Sequence, residues 1–202
     1  MISIVDYGMG NLRSVQKAFE YLGDDASVTD DRSAIMFSDK LVLPGVGAFC
    51  DAMARLRETG LDETIKAFAA SGRPVLGICL GMQLLFDRSY EGGSYDGLGL
   101  IGGKVVRFEI SPSLKVPHMG WNSLDIRRES LFGGVNQGAY VYFVHSYYCV
   151  PEDADVVSAA CNYGLEFAAA VHSGNVMATQ FHPEKSGDAG LLMLKNFAEM
   201  KA

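Results

Sequence analysis

The sequence lacks long hydrophobic runs and clusters of basic residues. None of its apolar stretches approaches the roughly 20 residues of a membrane-spanning helix, so no membrane span is expected. The net charge is −7, whereas nucleic-acid binding depends on clustered Lys and Arg, so no nucleic-acid partner is expected. The first ten residues also lack the basic segment and apolar stretch of a signal peptide. We therefore expect a cytoplasmic protein.

Cysteine is scarce and irregularly spaced. No CxxC pair occurs among the four cysteines, which are Cys50, Cys79, Cys149 and Cys161. Zinc sites and disulfide frameworks use paired or regularly spaced cysteines, so we expect neither, and we predict no metal and no cofactor. Buried, unreactive thiols are the simplest interpretation of Cys50, Cys149 and Cys161. Cys79 differs because of its neighbours.

Internal repeats and low-complexity linkers are also absent, and 202 residues can bury one substantial core. We therefore expect a single domain over residues 1–202. In the first half, short apolar strands alternate with amphipathic helical patterns. The predicted strands cover 2–5, 41–43 and 75–78, and the predicted helices cover 11–22 and 48–70. Such alternation favours a parallel sheet with helices on both faces.

The second half has a different pattern. A glycine-rich stretch at 92–103 is followed by segments that predict hairpins or antiparallel strands. These segments cover 105–108, 140–144, 156–160, 167–171 and 176–180, and a last helix with Ser186 as its N-cap covers 187–200. The sequence therefore predicts a three-layer α/β fold: a mostly parallel central sheet flanked by helices, with antiparallel additions in the C-terminal half. Ligands of such sheets bind at the carboxyl ends of the strands.

The segment GICLGMQ, residues 77–83, joins a predicted strand to a predicted helix. Glycines stand two residues before and two residues after Cys79, a spacing typical of a nucleophile elbow, where a strand turns sharply into a helix. A helix N-terminus favours a thiolate, and the backbone N–H of Leu80 there is free to stabilise an oxyanion. Cys79 is therefore the candidate nucleophile. A buried cysteine beside two packing glycines is the alternative.

A cysteine nucleophile for acyl transfer needs a histidine and a group that orients it. His182, in QFHPEKS, ends an apolar strand, and Glu184 follows it across a proline. His118 and His172 have turn-like neighbours, PHMGW and VHSGN, and are expected to be exposed or structural. His145 ends the aromatic segment YVYFVHSYY and is either a site residue or a core histidine. We predict that His182 and Glu184 act with the cysteine.

Together, GICLGMQLLF and the distant FHPE resemble the class I, triad-type glutamine amidotransferases. The chain is similar to the histidine-biosynthesis branch of that family in five further segments: YGMGNLRSV near the start, LPGVGAF at 43–49, VPHMGWN at 116–122, FVHSYY at 143–148 and QFHPEKS at 180–186. Many other branches have histidine where this chain has Met82, which agrees with that assignment. The resemblance extends over nearly the whole chain.

The resemblance implies a glutaminase. Cys79 would be the nucleophile, His182 the general base and acid, and Glu184 the residue that orients His182, with a γ-glutamyl thioester as intermediate. The segment Pro44 to Gly47 corresponds to the loop that supplies a second oxyanion donor. Val46 and Gly47 would thus join Leu80 in the oxyanion hole, and the glycines on either side of Val46 would let its peptide plane reorient. The resemblance assigns glutamine binding to Gly45, Gln83, Ser146 and Tyr147.

The family also implies a partner. This is a (β/α)8-barrel cyclase in a heterodimer, which receives ammonia and makes imidazole glycerol phosphate and aminoimidazole carboxamide ribonucleotide. The cyclase chemistry cannot lie in this chain, since no glycine loop followed by Lys is present to hold phosphates. Candidate residues for the partner interface or the ammonia exit are Tyr7, Asn11, Arg13, Trp121, Asn122, Tyr142 and Lys185.

Three alternatives stay open. One is the glutaminase partner of pyridoxal phosphate synthase, of similar size and with the same triad; HPEKS, VHSYY and MGNLRSV favour the histidine branch over it. Another is a catalytically silent module of the same fold, which loss of a triad residue would mark. The last is a cysteine-based redox or hydrolase protein with a similar elbow.

Overall fold

The computed structural model describes residues 1–201, which form helices and strands in alternation over the first half of the chain. The strands are β1 (Ile2–Val5), β2 (Ala26–Thr29), β3 (Lys40–Gly45), β4 (Val75–Cys79), β5 (Phe86–Ser89), β6 (Tyr95–Asp96), β7 (Ile101–Arg107), β8 (His118–Ser123), β9 (Asp125–Ile126), β10 (Tyr140–His145), β11 (Tyr147–Pro151), β12 (Val157–Asn162), β13 (Glu166–Ser173) and β14 (Val176–Thr179). The helices are α1 (Leu12–Leu22), α2 (Arg32–Phe37), α3 (Phe49–Thr59), α4 (Leu61–Ala70), α5 (Leu80–Leu84) and α6 (Gly187–Glu199). Short 3-10 turns cover Ser130–Phe132, Ala154–Val156 and Pro183–Lys185.

Eight strands form the central sheet, in the order β2-β1-β3-β4-β14-β13-β12-β9. The first five are parallel to one another, and β13, β12 and β9 continue the sheet antiparallel. Strand β4 lies between β3 and β14, so the carboxyl ends of these three strands meet at one edge. Gly45 of β3 is the register partner of Cys79. This edge carries the two segments that the sequence singled out, at 77–83 and 180–186.

The core has two parts, one on each face of the sheet. Alternate residues of a strand point to opposite faces, and β3 shows this directly: Leu41 and Leu43 pack on one side with α3 and α4, and Val42 packs on the other with α1 and α6. Strand side chains that are buried on both faces are typical of parallel sheets. The three-layer fold with a mostly parallel sheet and antiparallel additions is confirmed.

Two smaller sheets cover the carboxyl edge. Strands β10 and β8 form an antiparallel ribbon, and β11, β7, β5 and β6 form a four-stranded sheet. They bring the segments after residue 100 against the ends of β4 and β14. No helix in the described part of the chain combines the length and the hydrophobicity needed to cross a membrane.

The helical patterns predicted over 48–70 form two helices, because Gly60 adopts a left-handed conformation and ends α3. The turns expected around two histidines were wrong. His118 does not lie in an exposed turn but in β8, with 3% of its surface exposed, and His172 lies in β13. Ser186 is the N-cap residue of α6, as predicted, although its side chain makes no capping bond to the helix. Its hydroxyl instead donates to the His182 carbonyl at 2.6 Å and accepts from the Tyr142 N–H at 3.0 Å.

Helix α5 lies against the end of β3 with almost no space between the two backbones. A Cβ added at Gly81 would lie 1.8 Å from the carbonyl oxygen of Leu43. One added at Gly77 would lie 3.0 Å from backbone atoms of Gly81. Because a backbone carbonyl in a sheet cannot rotate away, position 81 requires glycine. The contact at Gly77 is tight, but its nearest atom is the movable end of the Leu85 side chain, at 2.8 Å.

We predict that Gly81→Ala lowers the free energy of unfolding by about 3 kcal/mol or more, since the methyl group would have to displace backbone rather than a side-chain end. Urea denaturation measures the change. Gly133→Ala is the matched control, because its backbone φ of −52° suits alanine and the nearest atom to the new Cβ is 3.6 Å away. Equal stability of the two variants would show that α5 can move away from β3 at little cost.

Candidate active site

Cys79 is the last residue of β4 and the residue from which α5 begins. Its φ of 57° is the only positive value at a non-glycine residue within residues 1–201, and its ψ is −111°. Residues other than glycine rarely adopt such a backbone conformation, because it costs energy. Where it occurs, it is often at a functional site. The sharp turn lifts the thiol off the sheet edge. The elbow predicted from GICLGMQ is therefore present in the backbone.

His182 and Glu184 lie directly after β14, the parallel neighbour of β4. His182 Nδ1 is 2.9 Å from Glu184 Oε1, and both side chains are almost completely buried. The carboxylate can only accept, so Nδ1 carries the proton and the imidazole is held in one orientation. Its other nitrogen, Nε2, is buried without a hydrogen-bond partner. That nitrogen is available to a group in the adjoining cavity.

The surroundings of His182 favour its charged form. Burial lowers the pKa of the imidazole, but interactions with Cys79 and then with Glu184 outweigh burial and raise the pKa to about 9. The imidazolium is therefore stable at neutral pH beside the sulfur. This is the charge arrangement that suits a cysteine nucleophile paired with a histidine.

A cavity of about 420 Å³ opens beside Cys79 and His182. Its wall is mostly apolar and contains residues from both halves of the chain: Val46, Gly47, Cys79, Leu80, Gln83, Glu91, Pro117, Val144, His145, Ser146, Tyr147 and His182. The volume suits a small-molecule ligand. Most of the residues assigned to catalysis, the oxyanion hole and substrate binding line this cavity directly; the exceptions are Gly45 and Glu184, and Glu184 acts on the cavity through His182.

The predicted oxyanion segment follows β3. Val46 is 41% exposed, and Gly47 has a φ of 101°, a conformation that favours glycine. The hydroxyl of Tyr7 donates to the carbonyl of Pro44 at 2.9 Å and holds the start of this segment. Gly45 does not line the cavity but pairs with Cys79 in the sheet. The segment is therefore anchored at its sheet end and open to solvent at Val46.

Gln83 is bound directly to Tyr147 and also to Gln180, a residue that was not among the predicted site residues. The Gln83 side-chain amide donates to the Tyr147 carbonyl at 3.2 Å and to Gln180 Oε1 at 3.1 Å. Gln180 is fully buried, and its own amide nitrogen lies 3.9 Å from Cys79 Sγ. Both amide hydrogens of Gln83 are thus used, which leaves its oxygen as the group that a ligand can reach.

Glu91 is the other unpredicted polar group in the cavity wall. Its carboxylate accepts from the N–H of Phe49 at 2.8 Å, and so stabilises the first turn of α3 from a distant loop. Gln180 directly precedes the FHPE motif and could have been suspected from its position beside an apolar strand end. No signal in the sequence indicates Glu91, which stands in a glycine-rich loop.

The residues predicted for a partner interface fall into separate groups. Trp121 and Tyr142 are register partners on the β8–β10 ribbon, with ring centroids 6.2 Å apart, and Lys185 Nζ lies 5.9 Å from the Tyr142 ring. Asn122 is half-buried behind them. Tyr7 is buried, with 2% exposed, and burial and then the charge of Cys79 raise the pKa of its hydroxyl. Two others, Asn11 and Arg13, lie at the start of α1.

Comparison with known proteins agrees with this geometry. The family model described as "Glutamine amidotransferase class-I" matches residues 3–200. Among curated proteins, the "Imidazole glycerol phosphate synthase subunit HisH" of Syntrophotalea carbinolica is 59% identical, over 99% of this chain and 100% of that protein. The protein of the same name from Rhodopirellula baltica is 54% identical, over 98% of this chain and 97% of its own length.

Solved structures with the same fold include one described as "glutamine amidotransferase", with a TM-score of 0.76 and 20% identity over 98% of this chain and 99% of that chain. Another is PurLQS from Thermotoga maritima, with a TM-score of 0.75 and 22% identity over 97% and 96% of the two chains. These two share the fold. With the family match over residues 3–200 and relatives more than 50% identical along the whole chain, the protein belongs to the class I glutamine amidotransferase family.

Proposed function

We propose that the protein is the glutaminase subunit of an imidazole glycerol phosphate synthase, acting in histidine biosynthesis. It is an enzyme that hydrolyses L-glutamine to L-glutamate and ammonia. The observation that carries the proposal is that Cys79, with its strained backbone, lies beside the buried His182–Glu184 pair at one cavity. Relatives at 52–59% identity are named as that subunit. One domain over residues 1–202 is part of the proposal.

In the proposed mechanism, the Cys79 thiolate attacks the side-chain carbonyl carbon of glutamine. The C–N bond breaks, and His182 gives its proton to the departing nitrogen, so that ammonia leaves and a γ-glutamyl thioester forms. His182, now neutral at Nε2, takes a proton from water, whose oxygen attacks the thioester. The C–S bond breaks, releasing glutamate and restoring the thiolate and the imidazolium. Glu184 keeps Nδ1 protonated throughout and so acts by positioning.

The rest of the cavity supports this chemistry. We assign the backbone N–H of Leu80, at the start of α5, to the developing oxyanion, with the Val46–Gly47 segment as the second donor. Gln83 and the strand segment Ser146–Tyr147 hold the α-amino and carboxylate groups of glutamine. The free amide oxygen of Gln83 suits an ammonium group.

As a subunit of such a synthase, the chain implies a cyclase partner. We propose that the partner is a (β/α)8-barrel, that the two form a heterodimer in the cytoplasm, and that ammonia passes directly between them. The ribbon supports this, since Trp121 is 56% exposed and Met119 63% exposed on its outer side. Exposed aromatic residues of this kind commonly anchor protein interfaces.

We predict that the purified chain releases glutamate from glutamine, that a barrel cyclase with its nucleotide ligand increases the rate, and that Cys79→Ala lowers the rate at least about a thousandfold. A coupled assay for glutamate measures this. Cys50→Ser, a change of thiol on α3 outside the cavity, is the control and should retain activity.

The outcomes of that assay separate the alternatives. Glutamine cleavage through Cys79 without stimulation by the cyclase would leave the triad chemistry and contradict the partner, as expected for a pyridoxal phosphate synthase glutaminase. No cleavage under any condition would indicate a silent module of the same fold. Reactivity of Cys79 toward peroxide but not toward a diazo-ketone analogue of glutamine would indicate redox chemistry.

A second prediction concerns pH. The pKa of His182 in the folded chain, about 9, exceeds the ordinary value of about 6.5, so its charge stabilises the fold fully below pH ~6.5 and this stabilisation is lost as pH rises toward 9. Glu184→Gln removes one cause of the raised pKa. The unfolding free energy of this variant should therefore fall less steeply between pH 6.5 and 9 than that of the wild type.

Urea denaturation at a series of pH values measures both slopes. Glu20→Gln, a change of the same charge on the exposed face of α1, is the control and should keep the wild-type slope. If the unfolding free energies of wild type and Glu184→Gln fall with the same slope as pH rises, the Glu184 carboxylate does not raise the pKa of His182.

A third prediction concerns the partner. Trp121→Ala should weaken cyclase binding about thirtyfold, because a large exposed aromatic side chain at an interface centre contributes about 2 kcal/mol or more. Isothermal titration with the cyclase measures it. Phe37→Ala, which removes an 83% exposed aromatic ring from α2, is the control. Unchanged binding by the Trp121 variant would place the interface elsewhere.

A further inference from the structure

Two histidines that the proposed mechanism does not use are buried together beside the cavity. His118 of β8 and His145 of β10 are directly opposite each other in the ribbon, and 3% and 6% of their surfaces are exposed. His118 Nδ1 is 3.0 Å from His145 Nε2. A buried pair of imidazoles needs a defined arrangement of protons, because an unpartnered ring nitrogen there is costly.

The outer end of the pair is fixed by the backbone. The side chain of Asn122 donates from Nδ2 to the carbonyl of Asn162 at 3.0 Å and accepts at Oδ1 from the N–H of Ser123 at 2.8 Å. Since a carbonyl only accepts and an N–H only donates, the orientation of this amide is determined. Its Nδ2 lies 3.3 Å from His118 Nε2. That ring nitrogen must therefore accept and carries no proton.

The proton positions of both rings follow. His118 has its proton on Nδ1 and donates it to His145 Nε2. His145 Nε2 accepts, so its proton is on Nδ1, which donates to the Tyr147 carbonyl at 2.8 Å. That carbonyl accepts at the inner end, as this arrangement requires. Both rings are neutral, and burial, the largest cause in each case, lowers the pKa of His118 to about 4 and of His145 to about 3.

The chain of hydrogen bonds ends on the proposed glutamine site. The Tyr147 carbonyl also accepts from Gln83, which donates in turn to Gln180 beside the Cys79 sulfur. His145 itself lines the cavity. The carbonyl that the two histidines hold is therefore the point to which Gln83 is tied.

From this arrangement we infer that His118 and His145 are positioning residues: His118 donates to Nε2 of His145 and so holds that ring in place, and His145 thereby holds the Tyr147 carbonyl and Gln83 in the geometry that binds glutamine. A structural role in packing alone would leave glutamine binding unchanged when the ring nitrogens are removed. The effect on glutamine binding rests on the proposed glutaminase function, whereas the tautomers do not.

Nuclear magnetic resonance of the ¹⁵N-histidine-labelled wild type tests the tautomers. The chain has only four histidines, so His118→Phe and His145→Leu are sufficient to assign the two signals. We expect protonated Nδ1 and unprotonated Nε2 in both rings at neutral pH, and a changed ¹⁵N shift of His145 Nε2 in His118→Phe, which removes the donor to that nitrogen. A proton on Nε2 of either ring in the wild type would overturn the inference.

Steady-state kinetics tests the positioning role. His118→Phe keeps an aromatic ring between Phe143 and Tyr163, on which His118 stacks with ring centroids 4.7 and 4.0 Å away, but it removes both ring nitrogens. We expect KM for glutamine to rise about tenfold, the effect of losing one buried hydrogen bond, with kcat changed much less. His145→Leu should behave in the same way. His145→Asn, which offers an N–H close to the position of Nδ1, should recover most of the wild-type KM.

Two controls distinguish positioning from packing. His172→Phe, a change of the partly exposed histidine of β13, should leave KM unchanged. The rate of Cys79 alkylation by iodoacetamide should be equal in wild type and His118→Phe, since the elbow is not altered. A lowered melting temperature of His118→Phe with unchanged KM would show a packing role only and would overturn the inference. If the wild type cleaves no glutamine, the proposed function fails. The tautomers measured by nuclear magnetic resonance would then still test the hydrogen-bond arrangement of His118 and His145.

Discussion

The contact on which the rest of the structure depends is the approach of α5 to the end of β3. With hydrogen in place of a side chain at Gly81, the helix backbone lies directly against the Leu43 carbonyl. Any larger residue would push α5 away from the sheet, and the turn at Cys79 would relax from its positive φ. The position of the sulfur relative to His182 is thus set by backbone packing between two elements. Packing of this kind cannot drift as a flexible side chain does, so the Cys79 sulfur is held in place while the Val46–Gly47 segment beside it stays exposed.

The buried histidines show how partners decide the charge of one residue type. His182 has a carboxylate on one side and a sulfur on the other, and both stabilise its imidazolium. His145 has a carbonyl on one side and a neutral ring on the other, and burial keeps it uncharged. Because the charge of His182 also disfavours protonation of His145, the two environments reinforce each other. The cavity therefore has one charged histidine, which can move protons, and one neutral histidine, which can only hold a carbonyl in place.

The sequence predicts those parts of the fold and site that depend on residues close together in the chain, and misses those that depend on residues far apart. The alternating apolar runs gave the parallel half of the sheet, and the spacing of glycines around Cys79 gave the elbow, because both patterns are local and have one steric solution. The helical patterns over 48–70 were confirmed, but the break between the two helices was not located, because Gly60 was not recognised as a left-handed C-cap. His118 was misplaced because the glycine after Met119 indicates a turn, whereas β10 pairs with this segment through a contact that no local pattern reveals. Gln180 contacts Gln83 across 97 residues, and Glu91 contacts Phe49 across 42. The only sequence signal for Gln180 is its position before the FHPE motif, and Glu91 has none.

The β8–β10 ribbon carries the proposed partner surface on one face and part of the cavity wall on the other. Side chains alternate along a strand, so Met119 and Trp121 face outward while His118 and Asn122 face the protein. The opposite strand does the same: Tyr142 pairs with Trp121 on the outer side, and His145 pairs with His118 on the inner side. A protein bound to the outer residues would thus be separated from the histidine pair by the thickness of one strand. A slip of β8 by one residue would move His118 to the outer face and Trp121 to the inner face. The same pairing therefore sets both the proposed partner surface and this part of the cavity wall.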